Sequence, residues 1–154
     1  LSAGDSLYGA IQKEKEFMIS DLGYMRLVHL SWELQLEELL DTHHASHLEV
    51  DTHEECPLGV WLYREGLAEF GNVLEVQKLE RDHKLFHQSV RRVIRSHKHG
   101  RKSEASDAMA EVKHLSREII YMLTVVEFKL LRKKSNQYAI RHPLRALSQF
   151  FRRR

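Results

Sequence analysis

The sequence predicts an all-α protein, an antiparallel four-helix bundle of three long helices and one short helix carrying Cys56. Three observations carry that reading. Apolar residues return at three- and four-residue steps over long stretches, the period of one helix face. Gly and Pro number only 7 and 2 in 154 residues, so few breaks interrupt the chain. Hydrophobic residues make up 42% and charged residues 30%, enough for one core and a solvated surface in a single domain.

Residues 1–20 read as a helical lead-in, with Leu7, Ile11 and Phe17 as apolar points. Residues 21–131 read as the bundle itself. Its first helix places Leu22, Met25, Val28, His29, Trp32, Leu36 and Leu39 on one stripe. Residues 41–55 lose the period and hold four histidines, which marks a connecting loop. Pro57 suits the first turn of the next helix, where its missing N–H costs nothing, and Gly66 is expected to stop that helix. A long helix begins near Asn72 and carries Val73, Val76, Leu79, His83, Phe86, His87, Val90 and Ile94 on its stripe. Gly100 ends it. Ser103 is the expected cap of the last helix, whose stripe holds Ala105, Met109, Val112, Leu115, Ile119, Met122 and Val126. Residues 132–154 read as a basic tail or linker.

Charge is divided along the chain. Residues 1–131 hold 16 Lys and Arg against 22 Asp and Glu, whereas residues 132–154 hold eight Lys and Arg and no acid. No run of about 18 apolar residues exists, so no membrane span is expected. The single cysteine cannot form an intrachain disulfide, and no basic-then-apolar leader opens the chain; both fit a cytoplasmic protein.

Three islands of metal-ligand residue types stand on these elements. His29 lies on the first stripe. Cys56, the only cysteine, opens Cys56-Pro57-Leu58-Gly59-Val60-Trp61. His83 and His87 are four apart, so their rings leave one helix face a turn apart. Taken singly, each histidine reads more simply as a core residue bonded to a carbonyl, and Cys56 as a small buried hydrophobe. Their shared place on apolar stripes favours a joint reading. One thiolate and three imidazoles are the ligand number and type of a tetrahedral Zn²⁺ site. Cys56 stands at a helix start, where free N–H groups and the dipole favour a thiolate. Gly59 permits close backbone approach, and Trp61 can cover the site.

The pattern His29-x-x-Trp32, Cys56-x-Leu58-Gly59-x-Trp61, His83-x-x-x-His87 resembles the chemoreceptor zinc-binding domain, CZB, with 23 residues between Trp32 and Cys56 and 21 between Trp61 and His83. The resemblance spans roughly residues 20–131. It implies one Zn²⁺ held by His29, Cys56, His83 and His87 inside a four-helix bundle. It also implies a bacterial cytoplasmic sensor module that pairs as a homodimer and signals to a chemoreceptor or diguanylate cyclase output, in chemotaxis or cyclic-di-GMP signalling. In that family zinc occupancy and cysteine oxidation both act as signals, which makes Cys56 the expected redox switch, open to an oxidant such as hypochlorous acid. The expected moving part is the short helix, held by one sulfur. A shell of four protein ligands leaves no open position, so no enzyme activity is expected.

Two other functions compete. A hemerythrin-like di-iron carrier also places histidines on facing helices, but it needs bridging carboxylates that these stripes lack. The tail from Arg132-Lys133-Lys134 to Arg152-Arg153-Arg154 could serve a nucleic-acid or membrane binder with structural zinc, although a linker or extension of the last helix is the simpler reading. Its stretch His142-Pro143-Leu144-Arg145-Ala146-Leu147 faintly resembles the opening of diguanylate cyclase domains, without the acid, Thr and Gly usual there. His43, His44, His47 and His53 could form a weak second metal site or a capture loop, but without ordered spacing they read more simply as a solvated loop.

Overall fold

The protein is described here from a computed structural model, which defines the backbone of residues 3–42, 48 and 50–141 and the side chains of residues 22–42, 48, 50–133 and 136. Helix α1 runs Ala3–Asp41, α2 Pro57–Trp61, α3 Leu67–Phe70, α4 Leu74–Lys98 and α5 Lys102–Arg141. A π-helical turn, Leu62–Gly66, joins α2 to α3, so residues 57–70 form one continuous helical run. That run is the second helix of a four-helix bundle.

Ion pairs across the seams fix the directions. Arg26 pairs with Glu127 and Glu37 with Lys113, so α1 and α5 run opposite ways. Arg92 pairs with Glu111 and Glu75 with Lys129, so α4 and α5 do too. Tyr63 reaches Glu80, and Lys133 lies 5.4 Å over the Phe70 ring. Residues 57–70 therefore descend beside α4. Their helix begins only midway along the bundle, because the connection from α1 covers the other half, tucking Leu48 and Val50 against the core.

The stripes read from the sequence form that core. Leu22, Met25, Leu36 and Leu39 of α1 are buried, as are Val76, Leu79, Phe86 and Val90 of α4 and Met109, Val112, Leu115, Ile119, Met122 and Val126 of α5. Burial of such side chains, at roughly 1.5–3 kcal/mol each, is what holds the helices together.

Two boundaries differ from expectation. Gly66 does not stop the second helix. It lies under the ring of Trp61, where a Cβ would come within 3.0–3.2 Å of the ring carbons, and the widened π turn carries the helix past that contact to Gly71. Ser103 does not cap α5, because that helix already starts at Lys102. The break before it is made by Gly100, as expected: with φ of 69° it lets Gly100 N–H reach the His97 carbonyl (2.9 Å) and Arg101 N–H the Ser96 carbonyl (2.9 Å), a Schellman turn. Residues 3–20 continue α1, and α5 extends beyond residue 131 to Arg141. The side chains of Leu7, Ile11 and Phe17, the loop histidines His43, His44 and His47, and the tail from His142 onward lie outside the described residues.

Candidate metal centre

Helices α1 and α4 run parallel, so His29 on one comes level with His83 and His87 on the other. The loop then delivers Cys56 to the same level. The ligand atoms of His29, Cys56, His83 and His87 all lie within 4.8 Å of one another. All four residues are completely buried. His83 Nε2 stands 3.1 Å from Cys56 Sγ and 3.1 Å from His87 Nε2.

Backbone carbonyls aim two of the rings. His29 Nδ1–H donates to the Met25 carbonyl at 2.8 Å, one helical turn back. His87 Nδ1–H donates to the Asp51 carbonyl at 3.0 Å, across to the loop. A carbonyl can only accept, so both rings carry their proton on Nδ1 and turn an Nε2 lone pair into the cluster. His29 Nε2 finds no hydrogen-bond partner there among the described residues. Buried polar atoms are normally paired, and a cation at the centre of the cluster would satisfy this one. Size agrees: bonds of about 2.0–2.3 Å set the ligands of a tetrahedral Zn²⁺ about 3.3–3.8 Å apart, inside the spread seen here. The four side chains thus fit a zinc ion, and the carbonyls of Met25 and Asp51 supply the outer hydrogen bonds that fix ligand rings in such sites.

Cys56 occupies the N-cap of α2 with extended backbone, φ −67° and ψ 156°, and Sγ accepts a hydrogen bond from Gly59 N–H at 3.4 Å. The helix start is therefore used as the sequence implied. It does not make a thiolate by itself, because burial outweighs the backbone N–H groups and pushes the thiol up to about 11. Deprotonation of Cys56 needs a cation beside it. Burial pushes the imidazoles the other way, His29 to about 4, His87 to about 3 and His83 to about 2, with the neighbouring rings adding to the shift for His83 and His87. These are neutral imidazoles, the form that ligates a metal.

A pH dependence follows. In the unfolded chain the imidazoles take up protons near 6.5, whereas the folded core refuses them. Below pH 6.5 the unfolded state binds more protons, so metal-free protein should lose stability as pH falls from 6.5 toward 4. The loss is at most about 1.4 kcal/mol per pH unit for each imidazole. Urea unfolding of metal-free protein at pH 7 and pH 5 measures it, and an unchanged midpoint would contradict the burial of these rings.

The surroundings differ in part from the sequence reading. Trp32 and Phe86 wall the site: Trp32 meets the His87 ring edge-on at 4.9 Å, Phe86 lies 5.1 Å from the His29 ring, and the two stack at 6.0 Å and 7°. Trp61 is buried under α2 with its ring over Gly66. Gly59 does allow a close backbone approach, but to the loop: a Cβ there would come 1.9 Å from the His53 carbonyl oxygen. Leu58, Trp61 and Leu62 are buried beside Cys56, so the second helix is anchored by three apolar side chains as well as by sulfur.

Sequence reasoning missed the turn that places Cys56. Glu55 Oε2 accepts from Thr52 Oγ1–H at 2.8 Å and from Thr52 N–H at 3.3 Å, while Cys56 N–H donates to the Thr52 carbonyl at 3.1 Å. Thr52-x-x-Glu55 is a capping-box pattern, visible in the sequence to a reader who looked for it.

Residues 29–94 match the family model of the chemoreceptor zinc-binding domain, CZB. No curated protein and no solved structure matches the chain.

Proposed function

Since residues 29–94 form a chemoreceptor zinc-binding domain by their match, we propose that the chain is a sensory and regulatory module that binds one Zn²⁺ through His29, Cys56, His83 and His87. The observation that carries this is the buried His₃Cys cluster itself, with His29 Nε2 left without any other partner among the described residues. Bound Zn²⁺ would supply the positive charge that holds Cys56 as a thiolate. With four protein ligands the shell is closed, and the site is regulatory rather than catalytic. A di-iron carrier is not favoured, because no carboxylate among the described residues joins the cluster.

Cys56 couples metal to redox state in this reading. Its buried thiol resists deprotonation when alone, so reactivity toward an oxidant such as hypochlorous acid depends on the cation. Oxidation to a sulfenic acid removes the anionic ligand and loosens the shell. The part free to respond is the turn of residues 52–56 rather than the whole second helix, which Leu58, Trp61 and Leu62 keep in the core. The output is a chemotaxis or cyclic-di-GMP signalling partner, in a bacterial cytoplasmic setting. No helix among the described residues is long and apolar enough to cross a membrane.

The module pairs with a second copy through the outer face of α1 and α5. Leu27 and Leu34 of α1 and Tyr121 and Phe128 of α5 are each at least 60% exposed and flank the seam marked by Arg26 and Glu127. Two helices of this length can bury the ~800 Å² per partner that a stable interface needs. Phe128→Glu should turn a dimer into a monomer by light scattering while leaving zinc content unchanged.

Metal analysis with zinc competition, run on reduced and then on hypochlorous-acid-treated protein, tests the proposal. One tightly held Zn²⁺ per chain, released on oxidation, is expected. Protein that holds no zinc sinks the reading, and zinc retained after oxidation sinks its redox part.

A further inference from the structure

A fully buried cluster of ligands raises a kinetic question: how does an ion reach it? His29, Cys56, His83 and His87 expose no surface, and the loop closes over His87 through the bond from its Nδ1 to the Asp51 carbonyl. Among the described residues, one further imidazole lies beside this cluster and reaches solvent. The His53 ring lies 6.4 Å from the His87 ring and 6.0 Å from the Tyr63 ring, and its side chain is 25% exposed. We propose that His53 is a transfer ligand, which takes Zn²⁺ at the surface through a ring nitrogen and yields it to His87 inside; this rests on the zinc reading above.

Three features favour that role. The His53 backbone is fixed, because its carbonyl oxygen lies against Gly59 in the space a Cβ would take. Its ring, in contrast, is held by no hydrogen bond among the described residues: the nearest acidic atom, Glu54 Oε1, is 3.8 Å from Nε2. With the backbone fixed and no hydrogen bond on the ring, side-chain rotation against Tyr63 is what moves the ring nitrogens between the rim and the cluster. At the rim the Glu54 carboxylate stands beside the ring and draws a cation toward the opening, whereas Glu80, which accepts from Tyr63 Oη–H at 3.1 Å, is already paired with Lys84.

A transfer ligand lowers the barrier in both directions and leaves the end states alone. His53→Ala should therefore slow both uptake and release of Zn²⁺, each by about tenfold, with Kd unchanged. Stopped-flow exchange with a chromophoric zinc chelator reads both rates, and equilibrium competition with the same chelator reads Kd. His53→Gln, which keeps the size of the side chain but not its ligand nitrogens, should behave as His53→Ala does and stands in if that variant fails to fold. Unchanged rates overturn the proposal. So does faster release with weakened affinity, the signature of a mere plug over the site. Parent protein without zinc overturns the zinc reading and this inference with it. Parent protein that binds zinc but exchanges it no faster than His53→Gln overturns this inference alone.

Discussion

Cys56→Ala should cost the protein its tight Zn²⁺ binding and leave the helices in place. A structural zinc site is worth roughly 10–16 kcal/mol at neutral pH, so one ligand in four accounts for about 3 kcal/mol and a hundredfold in affinity. Cys56 should count for more than that share. It is the only ligand that brings negative charge, and without it a dication would sit among three neutral rings in a dry core. The fold stands on other residues. Leu58 and Trp61 anchor α2, and replacing a buried thiol with a methyl group costs metal-free protein on the order of 1 kcal/mol. Zinc competition and thermal unfolding, measured with and without metal, separate the two effects. The expected pattern is a large loss of affinity, a metal-free melting temperature close to that of the parent, and no further gain in stability when zinc is added. An affinity within a few-fold of the parent's would remove Cys56 from the ligand set.

Phe86→Ala should do the reverse and strike the fold first. Phe86 is completely buried between α1 and α4, one residue before His87. Its ring stacks on Trp32 and lies against His29, so it fills the wall that separates the cluster from the rest of the core. Removing it leaves a cavity that rigid helices close only in part, at a cost of about 3–5 kcal/mol. Urea unfolding of metal-free protein should show that loss directly. Zinc affinity should fall as well, because His29 loses the ring that holds its imidazole in place. A stability within about 1 kcal/mol of the parent's would show that α1 and α4 close over the gap. Together the two substitutions distinguish a residue that holds the ion from one that shapes the place where it sits.

The contrast between these residues also shows what could be read in advance. Phe86 announced itself by period: it falls on the α4 stripe with Leu79, His83 and Val90, and helical geometry puts such residues on one face whatever they contact. The ligands announced themselves by type, as histidines and a lone cysteine placed on or beside apolar stripes where unpaired polar atoms are costly. The route of the second helix did not. Gly66 looks like a stop because glycine usually ends a helix, yet here it makes room for the Trp61 ring five positions earlier, a contact that exists only once the helix has formed. The effect of burial on Cys56 is hidden from the sequence for a related reason. A helix start is a local feature of sequence, whereas the burial that pushes the thiol up to about 11 is supplied by α1 and α4.

By itself, then, the sequence determined the helices, their buried faces and the four candidate ligands, because each of these depends on residue type and on spacing along one element. Only the tertiary structure decided how those ligands meet. The parallel setting of α1 and α4 brings His29 level with His83 and His87, while the carbonyls of Met25 and Asp51 choose which ring nitrogen faces inward. Likewise, Gly59 admits the loop that carries His53 to the edge of the cluster. Backbone carbonyls and close approaches belong to no residue type, so no pattern of side chains could have foretold them.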